Sequence, residues 1–339
     1  MPLVSICIPT YNGAAYLRDC LDSALAQTSP DFEVLIVDDQ STDESYKIAQ
    51  GYAARDRRVR VACNRENLGL VGNWNQCVLL ARGDWIKFLF QDDMLEPHCL
   101  ERMLAVCGPD TSMVVCQRNF IFEEDSEILK KTFIPYIQNY NMDKIFQGST
   151  AISAEALCKG VLGNLIANFV GEPTAILLHR SVFSRFGLFN SCLIQMCDFE
   201  YWIRVGSHTG LVYIPEMLVH FRRHKKGTSA INENSKKFRL IPDYLVCFHD
   251  FVFHPLYAPL RFYASECQPP INLNQCLAAE VKRAWKVARQ FDRNRANRDP
   301  SLLDEMNQMT RLFPGIQMIR KIPGSRTLSR YWFRIRNFF

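Results

Sequence analysis

The 339-residue chain lacks the short signatures of several common enzyme classes. Its first strand-like run is followed by Thr10-Tyr11-Asn12-Gly13-Ala14-Ala15, with a single glycine, so the G-x-G-x-x-G dinucleotide fingerprint is missing. There is no G-x-x-x-x-G-K-[ST] phosphate loop and no G-x-S-x-G nucleophile elbow. No C-x-x-C occurs among the 13 cysteines, and their odd number rules out complete pairing within the chain. They read as reduced core thiols of a cytosolic protein, with zinc or disulfides as the alternatives. No apolar run approaches the roughly 18 to 20 residues needed to span a bilayer. Met1 to Ile6 has no basic segment ahead of its apolar residues, so a signal peptide is not expected. Internal repeats and low-complexity tracts are also missing.

What remains is an ordinary globular composition, 48% hydrophobic and 22% charged. The length suggests about two domains, or one large α/β domain with an appendage. Charge is unevenly spread. Residues 281–339 hold 14 Arg or Lys against 4 Asp or Glu, a net of +10, which leaves −5 for the 280 residues before them. The same segment contains Trp285, Phe291, Phe313, Trp332, Phe333, Phe338 and Phe339. A basic, aromatic-containing end suits an anionic membrane surface, a solvated helix face or nucleic acid, the last being the weakest of the three.

Along the first 120 residues, apolar strand-like runs alternate with helical periodicity. Runs at 4–9, 32–37, 59–62 and 85–90 are separated by helical stretches at 14–26, 41–54 and 70–81. Apolar strands divided by helices imply a mostly parallel sheet covered on both faces. The spacing predicts a further helix after Glu96-Pro97 and a strand over 112–116, whereas 120–152 reads as an insertion or an irregular hairpin. Strand or helix patterns return at 174–178, 199–204 and 217–221. The polar stretch Asn232 to Lys237 marks a boundary, and residues 236–339 read as mainly helical despite several prolines.

Ligands of an open parallel sheet bind beyond the carboxyl ends of its strands. Two runs end there in paired acids, Val37-Asp38-Asp39 and Phe90-Gln91-Asp92-Asp93. Adjacent carboxylates invite a divalent cation, and Mg²⁺ and Mn²⁺ both favour hard oxygen ligands and bridge phosphates. The plain alternative is that these acids open loops or cap the next helix.

These segments together resemble glycosyltransferase family 2, whose members are inverting enzymes of the GT-A fold. The resemblance covers residues 4 to about 100 through Val4-Ser5-Ile6-Cys7-Ile8-Pro9-Thr10-Tyr11-Asn12, the run Phe32 to Asp43, Asn67-Leu68-Gly69 with Asn73, Ala81-Arg82-Gly83-Asp84, and Asp92-Asp93 with Pro97. Gln91 stands where many members have a further acid. Later, Gly171-Glu172-Pro173-Thr174-Ala175 resembles the loop near the acceptor, and Cys197 to Arg204 resembles the E-D-x-D-x-W segment, with Cys197 in place of its first acid. His220 to His224, with Thr228 and Ser229, resembles the closing segment.

The resemblance implies a Rossmann-like, mostly parallel sheet flanked by helices, with a catalytic domain over 1–235 and a basic helical region over 236–339. Within the catalytic domain, 1–119 would bind the nucleotide sugar and 120–235 would serve the acceptor. Pro9, Tyr11, Asp38, Asp39, Asn67, Gly69, Asn73 and Asp92 would bind the donor, Tyr11 and Asp39 on its base and Asp92 on the ribose or phosphate side. Asp93 and His224 would hold Mn²⁺ or Mg²⁺, Asp198 would be the catalytic base, and Glu172, Trp202 and Arg222 would face the acceptor or the diphosphate. Such an enzyme moves a sugar from a nucleotide-diphosphate sugar, a UDP-sugar as first expectation, to a saccharide or lipid-linked acceptor in surface polysaccharide synthesis. It would work in the cytoplasm, with its basic end against the inner membrane face and no nucleic-acid partner. The competing reading is a non-catalytic nucleotide-sugar or polysaccharide binder with a degenerate site. A nucleotidyltransferase is disfavoured, because Thr10 to Ala15 lacks a glycine-rich, basic opening.

Overall fold

A computed structural model describes residues 3–123, 127–165, 167–225, 227, 239–293 and 301–319. The chain forms two compact units that do not follow a single cut. The first holds residues up to Leu157, Asn168–Ser191 and Tyr201–His224; the second holds Cys158–Ala167, Cys192–Glu200 and the chain from Lys225 onward. The polar stretch at 232–237 lies outside the described residues.

Among the described residues, the first unit is built on one nine-stranded sheet. In chain order its strands are β1 Val4–Thr10, β2 Phe32–Asp38, β3 Val59–Cys63, β4 Trp85–Phe88, β5 Met94–Leu95, β6 Met113–Phe122, β7 Ala151–Ile152, β8 Ile176–His179 and β9 Leu211–Arg223. Their spatial order is β3-β2-β1-β4-β8-β6-β9-β5, with β7 paired to β9. Pairing directions send β1, β2, β3, β4, β6 and β9 one way and β5, β7 and β8 the other, so the sheet is mostly parallel. Every residue of β1 and β2 is buried, as expected for parallel strands without a wet face.

Helices α1 Leu17–Leu25, α2 Ser45–Ala53 and α3 Gly69–Leu80 form the crossovers, with α3 packed against β1 and β2. The chain steps from β1 to β2 and β3 on one side, then returns to place β4 on the other side of β1. That reversal is the topological switch point where doubly wound sheets bind ligands. Register sets Thr10 beside Asp38 and Cys7 beside Phe88, so the loops after β1, β2 and β4 leave the same edge.

Three local expectations change. Helix α2 begins at Ser45: Ser41 and Thr42 bond to the loop after β1, while Asp43 serves both, its Oδ2 accepting the Ala14 amide and its Oδ1 the Ser45 amide at 2.9 Å. The 120–152 stretch is no hairpin: β6 pairs with β9 as far as Phe122, and helices follow at Glu127–Asn139 and Met142–Phe146. The second of these is capped by Asn141, whose side chain accepts from the Lys144 amide at 3.0 Å. The strand expected at 217–221 runs from Leu211 to Arg223, its register shifted around Gln117.

The second unit is mainly helical, with helices at Leu240–Phe253, Ala258–Glu266, Leu273–Arg293, Ser301–Leu312 and Pro314–Ile319. Among the described residues, no helix is long and apolar enough to cross a membrane.

Candidate active site

The loop after β1 is stitched to the loop after β2. The Asn12 amide donates to Ser41 Oγ at 3.0 Å, the Thr42 amide to Asn12 Oδ1 at 2.8 Å, and the Gly13 amide to Ser45 Oγ at 2.8 Å. A second tie reaches β4. Gln91 accepts the Tyr11 amide at 2.9 Å and returns a hydrogen bond to the Tyr11 carbonyl at 3.1 Å. A carboxylate could not make both bonds, because it has no proton to donate. Gly13 makes room for this clamp, since a Cβ there would lie 2.2 Å from Gln91 Oε1. The Tyr11 side chain stands 48% exposed above the clamp. Pro9 is buried within β1.

The two acids after β2 have different surroundings. Asp39 Oδ1 accepts from Asn64 Nδ2 at 2.7 Å and from the Leu68 amide at 2.8 Å, while Oδ2 accepts the Gly69 amide at 3.0 Å. It thus holds the start of α3, where unsatisfied amides and the helix dipole favour a carboxylate. Asn67 bonds the Asp39 carbonyl at 2.9 Å, and Asn73 lies buried below, donating to the Val37 carbonyl at 3.0 Å. Asp38 accepts the Ser41 amide through Oδ2 at 3.0 Å, but its Oδ1 is buried without a partner. A buried carboxylate oxygen in that state calls for a donor.

The acids after β4 divide in the same way. Asp93 is fully buried, accepting from the Thr174 hydroxyl at 2.5 Å and from the Arg222 amide at 2.9 Å. Burial, reinforced by neighbouring Asp92, holds its carboxyl well above the usual carboxylate range. Asp92 remains at the rim, its side chain 22% exposed and its Oδ2 2.9 Å from His224 Nε2. The structure therefore brings Asp92, not Asp93, to His224. His224 Nδ1 is buried without a partner.

Arg222 is engaged on the side of α1. Its Nε donates to the Asp92 carbonyl at 2.9 Å, and its guanidinium lies 4.8 Å above the Tyr16 ring and 3.6 Å from Asp19. Tyr16 also packs its ring 4.7 Å from His224 and donates its hydroxyl to Glu123. Burial, followed by that bond, pushes the Tyr16 hydroxyl up to about 12. Among the described residues, no group of three or more His, Cys, Asp or Glu gathers to hold a metal.

The expected acceptor-side residues are less open than their motifs suggest. Trp202 is fully buried and its indole donates to the Gly171 carbonyl at 2.9 Å. Glu172 pairs with Arg118 at 2.5 Å. Gly171 sits at φ 116° against Arg118, where a Cβ would come within 2.6 Å of the guanidinium, so only glycine fits. Asp198 belongs to the second unit, in the first turn of helix Cys197–Thr209, and its Oδ1 accepts the Phe199 amide at 2.6 Å. Asp243, also of the second unit, holds the turn ahead of that helix, its Oδ2 accepting the amides of Ile194, Gln195 and Met196 at 2.9, 2.5 and 3.1 Å. Thr228 and Ser229 of the closing segment lie outside the described residues.

Sequence reasoning missed Asn64, Thr174 and Tyr16 as parts of this site. Asn64 carried one usable signal, a buried-type position at the end of a strand beside Asp38-Asp39. The partners of Thr174 and Tyr16 are 81 and 107 residues away, beyond any local pattern.

A strand-end crevice with paired acids, an exposed aromatic and a buried histidine beside the rim acid defines a class, and comparison with known proteins agrees with it. The profile of glycosyl transferase family 2 matches residues 5–158. Protein MT1568 of Mycobacterium tuberculosis is 30% identical over 231 residues, covering 68% of this chain and 69% of that protein. EpsH of Bacillus subtilis, which bears a glycosyltransferase name, is 30% identical over 236 residues, covering 70% of this chain and 64% of its own length. The chain thus spans a little under two thirds of EpsH. The chain belongs to glycosyl transferase family 2. Among solved structures, residues 1–349 of TarS from S. aureus with UDP-GlcNAc match with a TM-score of 0.56 at 16% identity, covering 92% of this chain and 81% of that one. The mannosyltransferase PcManGT of Pyrobaculum calidifontis with GDP-Man and Mn²⁺ matches with a TM-score of 0.51 at 15% identity, over 94% and 86% of the two chains. These likenesses speak for the fold, which is of the GT-A type.

Proposed function

We propose that this protein transfers a sugar from a nucleotide-diphosphate sugar to a hydroxyl of a saccharide or lipid-linked acceptor of surface polysaccharide synthesis, inverting the anomeric carbon. The observation that carries the reading is the crevice where β1, β2 and β4 end, with exposed Tyr11, the unpartnered oxygen of Asp38 and the rim pair Asp92–His224. Tyr11 would stack on the donor's base and Asp38 would accept one of its N–H groups. Asp39, Asn64, Asn67, Gly69 and Asn73 fix the loop that presents them, and Asp93 with Thr174 fixes the rim beneath Asp92.

The residues present fit a divalent cation. Asp92 and His224 offer a hard oxygen and an imidazole nitrogen within 2.9 Å of each other, and the donor's diphosphate would complete the ligand set. A cation held there would neutralise charge on the departing diphosphate. Asp198 would take the proton of the acceptor hydroxyl as that oxygen attacks the anomeric carbon. One displacement converts an α-linked donor into a β-glycoside, and no second nucleophilic carboxylate is needed. Support for Asp198 comes from its place in the family-like Asp198 to Trp202 segment, in the first turn of helix Cys197–Thr209.

The testing experiment measures turnover of UDP- and GDP-sugars by the wild type and by Asp198→Asn. Turnover should fall by roughly 10³-fold in the variant, with nucleotide binding retained. Equal turnover in both proteins would remove Asp198 from the chemistry. Binding without any turnover by the wild type would favour the degenerate binder.

A further inference from the structure

Helix Leu273–Arg293 has two sides of different kind. Leu273, Cys276, Leu277, Val281, Ala284 and Ala288 are buried within the second unit. At 3.6 residues per turn, Lys282, Lys286, Arg289 and Arg293 fall within an arc of about 60° on the opposite side. All four are exposed. Trp285 lies half-buried at the edge of this stripe, with the Arg289 guanidinium 5.6 Å above its ring, and together with Gln290 these residues line an open groove. Arg283 is not part of the stripe, because it turns to the buried Glu280 at 2.5 Å.

A merely solvated helix face mixes the two signs of charge at i and i+4. This one does not. Among the described residues, no acidic side chain forms an ion pair with any of the four stripe cations. We propose that the stripe is a docking surface for an anionic lipid bilayer. Charge complementarity selects the sign of the partner. Shape selects a plane: the four cations run straight along about 16 Å of one helix axis, and a tryptophan at the margin suits the lipid–water interface. The chain's own end is no competitor, since residues 320–339 hold six Arg or Lys and no Asp or Glu. This inference does not rest on the transfer reaction.

The test is co-sedimentation of the full chain with vesicles of phosphatidylcholine, alone or with about one third phosphatidylglycerol, at low and high salt. The wild type should bind the anionic vesicles only, and less at high salt. Replacing Lys282, Lys286, Arg289 and Arg293 together by Gln should weaken binding by at least about tenfold. Replacing four exposed cations of the first unit, Lys47, Arg55, Arg57 and Lys144, by Gln makes the same change in total charge and should leave binding within about twofold. Unaltered thermal melting and nucleotide binding of the stripe variant exclude misfolding as the cause. Equal losses in both quadruple variants would reduce the effect to net charge and overturn the proposal. So would stripe-dependent binding to duplex DNA that matches or exceeds binding to the vesicles.

Discussion

The ends of β2 and β4 carry the same motif, two adjacent acids, and the structure treats the two pairs alike. In each, the second acid belongs to the framework. Asp39 ties down Asn64 and the first amides of α3, and Asp93 is locked between Thr174 and the Arg222 amide. In each, the first acid keeps capacity for something else. Asp38 has an oxygen without a partner, and Asp92 stands at the rim beside His224. The pairs differ in how that acid stands. Asp38 is left with a buried oxygen that accepts no hydrogen bond, whereas Asp92 faces an imidazole nitrogen of His224 at 2.9 Å. Two carboxylates at a strand end are therefore not two equivalent ligands: one is spent on holding the loop that presents the other.

This contrast can be broken first at Asp39. Asp39→Ala removes the acceptor of the Leu68 amide and one of two acceptors of the Gly69 amide and of Asn64, so urea unfolding should show a loss of about 2 kcal/mol or more. A loss below about 1 kcal/mol would mean that Asp39 is not a framework residue. The smaller effect is at Asp38. Asp38→Asn should change stability by less than about 1 kcal/mol while weakening binding of the preferred nucleoside diphosphate about tenfold. The opposite ranking of the two variants, with Asp38 structural and Asp39 governing affinity, would reverse the assignment at β2.

The sequence made the location of the site legible and left its division of labour hidden. Apolar runs ending in Asp38-Asp39 and Asp92-Asp93 announce a strand-end crevice, because a parallel sheet buries both faces and exposes only its ends. Which acid of a pair remains open depends on partners far along the chain. Asn64 lies 25 residues from Asp39, and Thr174 and the Arg222 amide lie 81 and 129 residues from Asp93. Trp202 shows the same limit, since a motif tryptophan expected to face the acceptor is packed inside against Gly171. In the 120–152 stretch, the helix Glu127–Asn139 was obscured by Pro135 within it and by mixed charged and aromatic residues without clear periodicity.

The most direct test is calorimetric titration of the preferred nucleoside diphosphate, with Mn²⁺ and with EDTA, into the wild type, Asp92→Asn and Asp93→Asn. The division of labour predicts that Asp92→Asn loses the metal-dependent part of the affinity. Asp93→Asn should keep it, because an amide oxygen still accepts the Arg222 amide and Thr174 can turn its hydroxyl to accept in turn. Metal dependence lost in Asp93→Asn and kept in Asp92→Asn would contradict the account.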